Sequence, residues 1–82
     1  MASNYLGLKP QARAMVFFAY KEKKKGRKIT QESFVERFGE ETTERYMREI
    51  LSQHPPALES RDGAYHISKP AETAIRRFMN LF

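Results

Sequence analysis

Apolar residues in this chain recur at helical spacing three times, alternate over one short stretch, and then return to helical spacing up to the last residue. Ala12, Met15, Val16 and Ala19 mark a first helix, and Phe17, Phe18 and Tyr20 widen its apolar surface beyond what one covering partner can bury. Pro10 suits its first turn, where a missing N–H costs nothing, and the helix is expected to run to about Lys25 and stop at Gly26. Arg27-Lys28-Ile29 reads as a very short strand. Thr30 caps a second helix, with Ile29 and Phe34 spaced as a hydrophobic staple and Phe34, Val35 and Phe38 on the buried side. Gly39 closes that helix with a tight turn. A third helix over about Glu41 to Gln53 turns Met47, Ile50 and Leu51 inward and keeps Tyr46 at the margin. Its outer face holds Glu41, Arg45, Arg48, Glu49 and Ser52, and Pro55-Pro56 prevents any continuation.

The alternating stretch is a hairpin. Asp62-Gly63 is a strong signal for a type I′ turn, which needs two residues that tolerate positive φ. With that turn, Arg61 faces Ala64, Ser60 faces Tyr65, Glu59 faces His66 and Leu58 faces Ile67. Leu58 and Ile67 then share the inner face, and Glu59, Arg61 and His66 share the outer one. Ser68 or Lys69 caps the last helix, Pro70 lies in its first turn, and Ala71, Ala74, Ile75, Phe78, Met79 and Phe82 form its apolar stripe, with Leu81 at one edge. The expected fold is mainly α with a small β-hairpin, in the order α-(β)-α-α-β-β-α. Residues 1–9 form an arm, and residues 10–82 form a single domain whose C-terminal helix covers 69–82.

Size and composition agree with one small folded unit. The chain has 82 residues, 40% hydrophobic and 30% charged, enough for a single core with little stability to spare. No apolar run approaches a membrane span, and Met1 to Leu8 lacks the layout of a signal peptide, so the expected location is the cytoplasm, or the nucleus in a eukaryote. The chain has no Cys, which removes disulfides and thiolate metal sites. The net charge is +5, and one segment supplies it: Lys21, Lys23, Lys24, Lys25, Arg27 and Lys28 stand against Glu22, while the remaining acids and bases balance.

This element order, with the Gly39 turn and the Asp62-Gly63 hairpin as its wing, resembles the winged helix-turn-helix superfamily over about Pro10 to Phe82. In such proteins the third helix enters the major groove, the second directs its N-terminus at a phosphate, and the wing touches backbone or minor groove. The resemblance implies that Thr42, Thr43, Arg45, Arg48 and Ser52 face the groove, with Arg45 and Arg48 best equipped to read guanine. It places Thr30 and Gln31 at a phosphate, brings Lys28 toward the same surface, and has Arg61 act from the wing with His66 nearby. The implied function is that of a small duplex-DNA-binding protein, a transcriptional regulator or a phage, plasmid or replication accessory factor, acting as a dimer and without a cofactor.

Two features favour an alternative, a winged-helix protein–protein interaction module that does not bind DNA. Glu40, Glu41, Glu44 and Glu49 lie on or beside the exposed face of the third helix, where they would meet phosphates. The cluster of Lys21, Lys23, Lys24, Lys25 and Arg27 begins at the far end of the first strand, as a patch for long-range attraction or a solvated helix end. Catalysis is not expected, because His54 and His66 have no partners at metal spacing and no phosphate loop occurs among four scattered glycines. A homodimer is expected from the apolar surface at Phe17, Phe18, Phe78, Met79 and Phe82, which exceeds what so small a domain buries easily.

Overall fold

Four helices and one two-stranded antiparallel sheet enclose a shared core in the computed structural model, which describes residues 8–80. Helix α1 spans Pro10–Lys24, with Pro10 at its first position. It ends through Gly26, whose φ of +74° lets the chain reverse while its N–H reaches the Lys23 carbonyl at 2.9 Å. Helix α2 covers Gln31–Phe38 and is held at its start by a capping box. Thr30 Oγ1 accepts from the Ser33 N–H at 3.3 Å, and the Thr30 N–H donates to Ser33 Oγ at 3.0 Å.

Gly39 alone separates α2 from α3, which spans Glu40–Ser52. Its φ of +91° and ψ of 158° lie where side-chain-bearing residues are strained, so the corner depends on glycine. Helix α3 turns Thr43, Met47 and Ile50 into the core. Leu51, expected inside, is 40% exposed, and Thr43, expected at the DNA groove, is fully buried. The reason is helical phase: 43, 47 and 50 lie on one line, and Leu51 is turned about 100° away from Ile50.

The strand expected at residues 27–29 is absent. One bond remains of it, from the Tyr65 N–H to the Ile29 carbonyl at 2.8 Å. Both ends of that segment are committed elsewhere: the Arg27 N–H bonds the Glu22 carbonyl at 3.0 Å, and the Thr30 N–H serves the α2 cap. Too little extended chain is left for a ladder.

Strands β1 (Leu58–Arg61) and β2 (Ala64–Ile67) pair in the expected register, Leu58 with Ile67 through Arg61 with Ala64. Asp62 and Gly63 have φ of 54° and 74°, as a type I′ turn requires. Helix α4 covers Lys69–Asn80 and begins at Ser68, whose Oγ accepts from the Ala71 N–H at 3.4 Å and whose own N–H bonds the Ala57 carbonyl at 3.0 Å. Ala71 and Ile75 are buried, whereas Ala74 and Phe78 are half-buried. Leu81 and Phe82 lie outside the described residues, as does most of the N-terminal arm, from which Leu8 is buried in the core.

The wide surface of α1 is covered by α3 and β2, with α2 reaching it through aromatic contacts. Ala12, Met15, Val16, Ala19 and Tyr20 are buried, and Phe18 meets Phe34 and Phe38 of α2 edge-on at 5.5 and 5.6 Å between ring centres. Phe34 in turn meets Tyr65 of β2 at 5.5 Å. Helix α4 is tied to α1 by Glu72, which lies 3.2 Å from Lys23 Nζ and 3.1 Å from Arg76. No helix among the described residues is long and apolar enough to cross a membrane.

Candidate nucleic-acid interface

The basic segment from Lys21 to Lys28 does not form one patch. Lys21 sits over the Phe17 ring at 5.4 Å and Lys24 over the Tyr20 ring at 5.7 Å, each cation covering an aromatic of its own helix one turn earlier. Lys25 and Arg27 approach the Glu22 carboxylate at 3.7 and 3.6 Å, and Lys23 reaches across to Glu72. These basic residues therefore have structural partners while remaining exposed to solvent.

From Lys23 onward the segment turns back toward the hairpin and builds a groove of about 340 Å³ against it. Its polar rim is Lys23, Arg27 and Lys28 on one side and Arg61 and His66 on the other, with no carboxylate among its lining residues. Ile29, Ala64, Tyr65 and Ile67 make its floor. The Ile29–Tyr65 bond joins the segment to the hairpin, and Tyr65 donates its hydroxyl proton to Gln31 Oε1 at 2.9 Å, fastening the hairpin to the first turn of α2. Such an arrangement, cations on two walls of an open cleft, attracts and orients phosphate.

The other residues expected at DNA are placed unevenly. Arg45 and Arg48 are both exposed on α3, with the Arg45 guanidinium 5.4 Å from the Tyr46 ring centre. Ser52 is exposed but donates its hydroxyl to the Arg48 carbonyl at 2.6 Å. Thr42 is half-buried, Thr30 is occupied as a cap, and Gln31 is engaged by Tyr65. Thr43 is removed from the list by its burial. Around the two arginines, Glu40, Glu41 and Glu44 are exposed and Glu49 is half-buried.

Of the residues expected at a dimer contact, Phe17 and Phe18 are half-buried against the core, Phe78 is half-buried, and Met79 is 45% exposed. Phe82 lies outside the described residues. Among the described residues, no group of three or more His, Cys, Asp or Glu side chains is placed to hold a metal ion.

A strand at residues 27–29 would bring Arg27 beside the hairpin, but Lys23, separated from Arg61 by more than thirty residues, is not expected there. The available signal was Gly26, whose left-handed turn redirects the basic segment. Comparison with protein-family models, with curated proteins and with solved structures finds no match to this chain.

Proposed function

We propose that this chain is a small winged-helix protein that binds duplex DNA, taking backbone contacts in the groove beside the wing and base contacts from Arg45 and Arg48. The observation that carries this reading is the groove lined by Lys23, Arg27, Lys28, Arg61 and His66, with no carboxylate among its lining residues and with Glu22, Glu72 and Glu59 at its borders. Lys28 and Arg61 are its freest cations, because Lys23 and Arg27 are shared with Glu72 and Glu22. Backbone contacts of this kind supply affinity, and two arginines on an exposed helix supply the bidentate geometry that guanine requires.

The test is a titration of duplex DNA at several salt concentrations. Each lost phosphate contact flattens the slope of log affinity against log salt by about one, so Lys28→Ala with Arg61→Ala is expected to flatten it by about two. Arg45→Ala with Arg48→Ala is expected to cost about 1–3 kcal/mol of discrimination per base contact. Absence of salt-sensitive duplex binding by the wild-type chain rejects the reading.

A further inference from the structure

A second groove, sharing no lining residue with the first, lies between α1 and α2. Its floor is Ala14, Phe17, Phe18 and Phe38, its rim is Lys21, Lys25 and Arg37, and its volume is about 320 Å³. We infer that this groove docks a short acidic segment of a partner protein, anchored by a large apolar side chain and held by the rim cations. This inference does not depend on duplex binding.

The charge of the rim selects the occupant. Glu22 is the one acid lining the groove, and its carboxylate is already opposed by Lys25 and Arg27, with only 14% of the side chain exposed. Lys21 and Arg37 have no ion-pair partner among the described residues. Glu36 lies on the neighbouring groove beside Arg37, so the balance at the rim still favours an anion. The three phenylalanines are half-buried and so keep apolar area that an incoming side chain would cover.

Two other occupants fit less well. Stacked bases need open ring faces, but Lys21 covers one face of Phe17, and Phe18 is engaged edge-on with Phe34 and Phe38. A two-fold contact through this groove would bring one cationic rim of Lys21, Lys25 and Arg37 against the same rim of a second copy, which charge repulsion opposes. An amphipathic segment with carboxylates flanking an aromatic or leucine side chain satisfies both floor and rim.

The experiment uses the full ¹⁵N-labelled chain and a peptide of about twelve residues with Phe and Leu flanked by Glu and Asp, long enough to span the groove. A counterpart peptide has Gln and Asn at the acidic positions, and oligo(dT) is the third probe. The acidic peptide is expected to bind saturably and to shift the amide signals of Phe17, Phe18, Arg37 and Phe38. The neutral peptide, and the acidic peptide against Lys21→Glu with Arg37→Glu, are each expected to bind about fivefold to tenfold more weakly, the sum of a few exposed charge pairs. Absence of peptide shifts in the wild-type chain, equal binding of the two peptides, or shifts at these residues from oligo(dT) alone overturns the inference. Shifts that appear on concentrating the free chain assign the groove to a second copy and overturn it as well.

Discussion

Thr43 Oγ1 is a buried side-chain atom with no hydrogen-bond partner among the described residues. A buried hydroxyl left without a partner costs on the order of 1 kcal/mol or more. Valine has nearly the same shape and removes the unpaired group. Thr43→Val is therefore expected to raise unfolding stability by about 1 kcal/mol, a gain of roughly 4–8 °C in Tm for a domain of this size. Urea or thermal unfolding measures it. The same variant is expected to leave duplex affinity unchanged, because the side chain is buried on the same face as Met47 and Ile50. A loss of affinity would return Thr43 to the binding face. The spacing of 43, 47 and 50 is a helical line that was readable in advance. It was obscured because threonine is polar and because Leu51, one residue past Ile50, competed as the more obvious core residue.

At the scale of elements, what depended on local chemistry was legible. The Asp62-Gly63 turn specified the hairpin register, and Thr30 and Gly39 marked both ends of α2, because each acts on backbone groups within a few residues. The expected strand at 27–29 failed for the opposite reason. Whether Ile29 gains one bond to Tyr65 or a full ladder depends on how α1 ends and α2 begins, a competition that no local pattern reports. The tie between α1 and α4 was equally hidden, joining Lys23 to Glu72 across forty-nine positions.

That tie makes a prediction about pH. The hydrogen bond from Lys23, with help from the charges of Lys23, Arg76 and Lys69, holds the Glu72 carboxyl below its ordinary range against an opposing effect of burial. Since the folded value is the lower one, the stabilisation is present above the ordinary carboxylate pKa and is lost as pH falls through the folded pKa. Glu72→Gln is expected to lower Tm at neutral pH by an amount worth less than about 1 kcal/mol, because Lys23 and Arg76 are largely exposed. Melting curves from neutrality to about pH 2 should show the wild-type and variant values converging in acid. A gap that stays constant at every pH would assign the loss to packing instead.

Across the molecule, charge is unevenly spread: cations cluster from the end of α1 to the hairpin, with Glu22, Glu59 and Asp62 among them, and acids cluster at the start of α3. Glu40 and Glu41 lie in the first turn of α3, where carboxylates favour the positive end of the helix dipole by a few tenths of a kcal/mol each, and Glu44 follows in the next turn. They also flank Arg45, so a duplex read by that helix would bring phosphates toward three negative charges. Stability and DNA affinity then make opposite demands on the same residues. Replacing all three by glutamine is expected to lower stability by about 0.5 kcal/mol and to tighten duplex binding by about tenfold, by removing repulsion within roughly one Debye length of the backbone. A melting curve and a binding titration on one preparation separate the two effects. If the variant melts earlier but binds duplex no better, α3 does not face DNA. The proposed base-reading role of Arg45 and Arg48 then fails, while the groove beside the hairpin stands or falls on the Lys28 and Arg61 salt slopes alone.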